Sequence, residues 1–274
     1  MRSPRSTRPE LASRARLDAE LVRRGLARSR EQAAELVTAG LVKVGGQTAT
    51  KVATAVEPAT PLLVEQPAGP SYVSRGGHKL AGALDAFGYD PAGKRVLDAG
   101  ASTGGFTDVL LQRGAAHVVA ADVGYGQLAW SLQTDQRVTV LDRTNVRALA
   151  PEQVGGPVQL VVADLSFIPL GLVLPALLRC ASPDADLLPM VKPQFEVGRE
   201  RLPSGGVVRD PALRAETVRR VAGRAASLGL GVRGITASPL PGPSGNVEYF
   251  LWLTAGAPPL DEDLLADAVA HGPR

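Results

Sequence analysis

The sequence predicts an α/β fold: a doubly wound, mostly parallel sheet over residues 74–255, preceded by a small basic α+β module at 14–66. Three observations carry this. First, Arg95 to Thr107, RVLDAGASTGGFT, is a short apolar run that stops at Asp98, turns through glycines and opens an apolar helical pattern at Phe106. Strand, glycine turn and helix form the first βα unit of a doubly wound domain, which takes ligands beyond the carboxyl ends of its strands. Second, four later apolar runs each end at a charged residue: His117–Ala121 at Asp122, Val138–Leu141 at Asp142, Gln159–Ala163 at Asp164 and Leu187–Val191 at Lys192. Third, residues 1–60 carry eleven Lys/Arg against six Asp/Glu, leaving nineteen against twenty-one for the remainder. A basic module joined to a mildly acidic one suggests that the first holds a polyanion on which the second acts.

In chain order, residues 1–13 read as a disordered basic tail. Leu17, Leu21 and Val22 mark a helix face closed by Gly25, and Ser29 to Gln32 opens a second helix with a capping-box pattern, burying Ala33, Leu36 and Val37 up to Gly40. Leu41–Val44 and Leu62–Val64 read as strands about the Gly45-Gly46 turn. Arg14, Arg16, Arg28, Arg30, Lys43 and Lys51 are left outside as candidate RNA contacts. Residues 67–73 read as a linker. Leu80, Leu84 and Phe87 then define a helix that carries Lys79 near its start. A Pro-interrupted helix is expected at 169–181, and Asp210-Pro211 starts a long helix with a capping Asp and Pro at its first position. Gly231–Ser238 and Asn246–Leu253 close the sheet, and 256–274 reads as a C-terminal tail. Trp130 and Trp252 are expected in the core, and so are Phe167 and Phe195, for which stacking on a base is the alternative.

The glycine turn is neither G-x-G-x-x-G nor a P-loop. A tight turn after an acidic strand end suits a cationic or zwitterionic nucleoside better than a pyrophosphate, and S-adenosylmethionine is such a ligand. Asp98, Gly100, Ser102, Thr103, Gly104, Gly105 and Phe106 are its candidate contacts, with Asp122 placed for ribose hydroxyls and Asp142 for the adenine edge. Gly100-x-Ser102-x-Gly104 also matches a nucleophile elbow. That chemistry needs a downstream Asp and then a His, and the sole histidine beyond Asp164 is His271, close to the chain end. A single cysteine, Cys180, rules out a disulfide framework and suits a reducing compartment. No apolar run is long enough to span a membrane, the N-terminus lacks a secretory pattern, and no metal-ligand spacing occurs. A cytoplasmic monomer is expected.

The segment RLDAELVRRGLARSREQAAELVTAGLVKVGG resembles the S4 RNA-binding domain. From Ser74 onward SRGGHKL, DAGASTGGFT, ADVGYGQLAW, DRTNV, ADLSFI, VKPQFE, GGVVRD and PLPGPSGNVEYFLWL resemble the TlyA family, once labelled haemolysin. The resemblance implies a Rossmann-like class I methyltransferase domain of FtsJ type behind the S4 domain. It further implies 2′-O-methylation of cytidine in 16S and 23S ribosomal RNA from S-adenosylmethionine, conferring sensitivity to capreomycin and viomycin. One departure stands out: where the family has a basic–small–aromatic–apolar tetrad, this chain has Pro70-Ser71-Tyr72-Val73, without the basic residue.

Lys79, Asp164, Lys192 and Glu248 fall on one rim of the predicted sheet. The resemblance implies that they form the Lys-Asp-Lys-Glu catalytic tetrad of FtsJ-like 2′-O-methyltransferases. A ribose hydroxyl must lose its proton as it attacks a methyl carbon, and a lysine crowded by other positive charge is suited to accept it. Lys192 is the expected central residue, with Lys79 orienting the ribose and the two carboxylates positioning the lysines. The alternatives are a non-catalytic RNA-binding assembly factor, which would have no use for the tetrad, and a haemolysin, which would need an amphipathic or spanning segment.

Overall fold

The computed structural model describes residues 14–27, 29–65, 70–242 and 244–273. The expected tail 1–13, linker residues 67–69 and the candidate contact Arg28 lie outside them. The chain divides into two units, one ending at Ser71 and the other beginning at Tyr72.

In the first unit, β1 (Ala15–Arg16) leads into α1 (Leu17–Arg23), and α2 (Arg30–Thr38) follows. Ser29 Oγ accepts from the Gln32 amide at 3.2 Å, which is the hydroxyl half of the expected capping box. β2 (Val42–Val44), β3 (Gln47–Thr48), β4 (Ala55–Val56) and β5 (Leu62–Val64) complete the unit; β3-β2-β5 form one small antiparallel sheet, and β4 pairs with β1. Leu17, Leu21, Ala33, Val37, Val42 and Val56 share its core.

Two acids are buried at the edge of that core. Asp18 is bonded by Arg16 at 3.1 Å and by Arg30 at 2.8 Å. The Arg16 guanidinium, assisted by Arg30, holds the Asp18 carboxyl far below the usual carboxylate range. Glu20 takes Arg23 and Arg24, and Arg24 also donates to the Thr60 carbonyl at 2.7 Å, fastening α1 to the β4–β5 connection.

In the second unit, alternation along the strands decides the layers. α3 (Arg75–Phe87), β6 (Arg95–Ala99), α4 (Gly105–Gln112), β7 (His117–Ala121), α5 (Trp130–Gln133) and β8 (Val138–Leu141) come first. Next are α6 (Pro151–Val154), β9 (Val158–Ala163), α7 (Leu174–Arg179), β10 (Ala181–Val191), α8 (Pro193–Glu196), α9 (Pro211–Ala226), β11 (Leu230–Ala237), β12 (Tyr249–Ala255) and α10 (Glu262–Ala270). Val96, Leu160 and Phe250 face α3 and α4, burying Leu80, Leu84, Val109 and Leu110. Their neighbours Leu97, Val161 and Leu251 face the other way, onto Leu174, Val218 and Leu265 of α7, α9 and α10. The sheet order is β11-β12-β10-β9-β6-β7-β8, and β12 alone runs against the rest. Among the described residues no helix is long and apolar enough to cross a membrane.

Asp210 caps α9 as expected, accepting from the Ala212 amide at 2.9 Å. Three expectations need correction. Residues 262–270 are not tail but α10: Asp261 caps it through the amides of Asp263 and Leu264, Leu265 and Ala268 bury against the core, and Arg219 pairs with Glu262 at 2.7 Å. The segment before it runs beside β11, where Val232 donates to the Pro258 carbonyl at 2.8 Å. The helix expected at 169–181 is a 3₁₀ turn at Leu170–Leu172 and then α7, because Pro175 fits only a first helical turn. β10 begins at Ala181, not Leu187, reaching β9 through a register shift between Ala181 and Asp186.

A depressed Asp18 pKa stabilises the first unit above the ordinary carboxylate range, and that contribution is lost as pH falls through and below it. Exchange protection factors for the α1 amides in the full chain are therefore expected to fall below about pH 4. Asp18→Ala should lower them at pH 7 and flatten the acid dependence; unchanged protection at pH 7 would contradict this account.

Candidate functional site

From β6 the chain proceeds outward to β7 and β8, then returns to β9 on the other side of β6. Connections after β6 and β9 therefore depart in opposite directions and leave a crevice beyond the carboxyl ends. A cavity of about 450 Å³ lies there. Gly100 and Ser102 of the β6–α4 turn form one wall, and Asp164 to Ile168 form another. Gly100 has φ +87°, and a Cβ on it would meet the Asp164 carbonyl oxygen at 2.5 Å, so only glycine lets the turn lie against the exit of β9. Asp122 completes the corner, its two oxygens accepting from the amides of Ser102 (2.8 Å) and Gly124 (2.7 Å).

The same turn fixes the helix that carries Lys79. A Cβ on Gly105 would sit 2.3 Å from Ser74 Oγ and 2.8 Å from the Gly77 amide nitrogen, so the first turns of α4 and α3 are in backbone contact. One helical turn along α3, Lys79 Nζ donates to Glu248 Oε2 at 2.6 Å, and both side chains are buried. Glu248 owes its place to register. β10 and β12 pair Met190 with Phe250 and Val191 with Tyr249, so one step further Lys192 stands across from Glu248. Lys192 Nζ lies 2.6 Å from Asp164 Oδ1 and donates to Ser166 Oγ at 3.1 Å. Asp164 thus belongs both to the cavity wall and to the lysine pair.

The expected site residues are accordingly divided. Gly100, Ser102, Asp122 and Asp164 line the cavity, whereas Lys79, Lys192 and Glu248 do not; Lys192 touches its wall through Asp164, and Lys79 pairs with Glu248. Asp98 does not face the cavity: it points toward α4, accepts from Thr107 Oγ1 at 2.7 Å and is fully buried. Burial, with the nearby charges of Asp164 and Asp122, pushes its pKa up to about 7. Gly104 packs against Leu128 and Leu132, and Phe106 stacks in the core on Phe250 at 5.9 Å. Thr103 is exposed and its carbonyl accepts from Ala129, while Asp142 holds the Gly126 amide at 3.1 Å.

Other lining residues were not anticipated: Gln127, Asn145, Arg147 and Ser166 among the polar ones. Each sits a few positions beyond a strand end, the one signal that could have marked them. Two aromatics expected inside are outside. Phe167 is 90% exposed, its backbone turning through φ +64° and its ring lying 5.0 Å from that of Phe195. Trp130, opening α5, is 77% exposed. Among the described residues no cluster of His, Cys, Asp or Glu could hold a metal ion. In the first unit Arg14 pairs with Glu57, Arg16 and Arg30 with Asp18, and Lys43 with Glu65, while Lys51 is exposed.

Comparison with known proteins bears directly on this arrangement. The FtsJ-like methyltransferase family model matches residues 72–255, and the S4 domain model matches 15–60. A Mycobacterium tuberculosis protein described as 16S/23S rRNA (cytidine-2′-O)-methyltransferase TlyA is 63% identical over 269 residues, covering 96% of this chain and all of that one. This chain belongs to the TlyA family. A Bacillus subtilis TlyA relative, provisionally described as the rRNA methyltransferase YqxC, is 43% identical over 87% of this chain and 85% of its own length. A solved structure from Streptococcus thermophilus, provisionally described as a hemolysin, shares 37% identity and a TM-score of 0.75, covering 94% of this chain and 95% of that one. As a TlyA member with an FtsJ-like domain, the chain is a methyltransferase.

Gly100→Ala is expected to displace Asp164, lowering affinity for a donor nucleoside at least tenfold by calorimetry while the fold survives. Wild-type affinity would contradict the close approach described above. For Asp98, a raised pKa means that the folded state favours the neutral acid. Its contribution is most favourable at low pH and is lost as pH rises from about 4 toward about 7. Asp98→Asn should therefore raise the thermal midpoint more at pH 8 than at pH 5.

Proposed function

We propose that this protein transfers a methyl group from S-adenosylmethionine to the 2′-hydroxyl of cytidine in ribosomal RNA. The observation that carries the reading is the double membership of Asp164, which walls a nucleoside-sized cavity and pairs with Lys192. Around it, β12 supplies Glu248 and through it Lys79.

The residues present fit the donor. The volume suits a nucleoside, Gly100 lets the turn close against the exit of β9 to form the wall, and Asp122 stands where ribose hydroxyls are held in this fold. Asp122 and Asp164 against the single cation Arg147 leave the lining net negative, which favours a positive ligand over a phosphate. When bound, the donor supplies an electrophilic methyl carbon on a cationic sulfur.

Lys192 Nζ would act as the base, taking the proton of the 2′-hydroxyl as that oxygen attacks the methyl carbon the bound donor would supply. Asp164 then stabilises the lysine as an ammonium. Lys79, anchored by Glu248, orients the ribose and steadies the developing alkoxide. Lys192, in contact with the Asp164 that walls the cavity, is the member of the cluster assigned as base. Much of the acceleration comes from in-line alignment of oxygen, methyl and sulfur. Phe167, exposed beside this site, offers a face on which an unstacked base can rest.

RNA is held by the basic first unit, with Arg14, Arg16, Arg30, Lys43 and Lys51 as contacts to phosphate. Asp18 locks two of these guanidinium groups in place and leaves each about half exposed. The 63% identity to a relative named for both 16S and 23S RNA supports action on both subunits. Modification at those sites would account for capreomycin and viomycin sensitivity.

Incubating purified subunits with tritiated S-adenosylmethionine tests the reading. Wild-type protein is expected to label RNA, and Lys192→Ala to lose roughly 100-fold or more of the rate while retaining donor and RNA binding. Equal labelling by the two proteins would overturn the role given to Lys192.

A further inference from the structure

Ser166 touches both halves of the site. It lines the cavity, and its Oγ accepts from Lys192 Nζ at 3.1 Å, beside the 2.6 Å contact of that amine with Asp164. The aromatic face of Phe195 lies 6.0 Å from the same nitrogen and offers no conventional acceptor. Ser166 is itself held between two constraints. Asp164 precedes it on the exit of β9, where the Asp164 amide donates to the Ala99 carbonyl at 3.0 Å. Phe167 follows with its left-handed backbone and its ring against Phe195.

A neutral amine has two N–H groups and one lone pair in a roughly tetrahedral arrangement. With a single acceptor, rotation about the Cε–Nζ bond can present either N–H group to it, so the lone pair has more than one direction open. The Ser166 hydroxyl takes one N–H group, and the Asp164 carboxylate holds the nitrogen in an ion-pair contact on another side, which narrows the directions left to the lone pair. We propose that Ser166 is a positioning residue for Lys192: with Asp164 it aims the amine lone pair at the 2′-hydroxyl. This rests on the methyltransfer reading above. It assigns the serine to proton removal, although it sits in the wall of the donor cavity.

Single-turnover methylation of ribosomal RNA, with donor affinity measured by calorimetry, separates the possibilities. Ser166→Ala is expected to lower kcat about tenfold, the scale of one hydrogen bond to an ionisable group, while both KM values stay within about twofold. Ser166→Thr, which keeps the hydroxyl, should restore most of the rate. In a Lys192→Ala background the alanine change should cost nothing further, because the group it aims is gone.

The proposal is overturned if Ser166→Ala keeps the wild-type kcat, or if it raises the donor KM at unchanged kcat, which would make the hydroxyl a donor contact. It is also overturned if the threonine variant binds donor normally yet is as slow as alanine, or if the two changes add in the double variant. Absence of label from wild-type protein would instead remove the methyltransfer reading, and the role of Ser166 with it.

Discussion

The reversal of β12 is the constraint on which the site depends. In a wholly parallel sheet the residue preceding that strand would lie at the opposite end from the crevice. Running antiparallel between β10 and β11, β12 starts where its neighbours stop, and Glu248 meets a lysine 169 positions earlier in the chain. The strand is anchored on both faces, by Phe250 on one and Leu251 on the other. Farther along, the Trp252 indole and the Tyr89 hydroxyl both donate to Asp186 of β10, at 2.7 and 2.9 Å. Packing thus positions an ion pair that would not justify itself energetically, since desolvating two charges offsets most of their attraction.

Three aspartates crowd the strand ends, and the protein treats each differently. Asp122 accepts from backbone amides, Asp164 pairs with Lys192, and Asp98 accepts from Thr107 in a buried setting that favours its neutral form. A sulfonium donor would therefore meet a moderated field, in which Asp122 and Asp164 line the cavity together with the cationic Arg147.

Much of this architecture was legible because apolar runs that end in a charge mark strand ends, and five of them lie along the parallel part of the sheet. Asp210-Pro211 likewise announced α9. Pairing between distant residues was not readable from spacing: family resemblance grouped Lys79 and Glu248 in one set of four, and their direct contact appears only in the structure. Exposure of Phe167 and Trp130 was missed because an aromatic residue does not declare its direction, and a positive φ at phenylalanine runs against its backbone preference. α10 was missed because Pro258-Pro259 and several acids look like the start of a tail, although Leu265 and Ala268 lie on one helical face. Counting arginines revealed a basic module but not that Asp18 and Glu20 engage four of them.

The backbone contact between Gly105 and the Ser74–Gly77 turn has an evolutionary consequence. Bulk added on one side has no empty volume to enter, so it must be matched by retreat on the other. Substitutions at these positions should accordingly appear in correlated sets among descendants of this sequence. The glycine turn and the lysine-bearing helix would then be inherited together, as a single heritable joint.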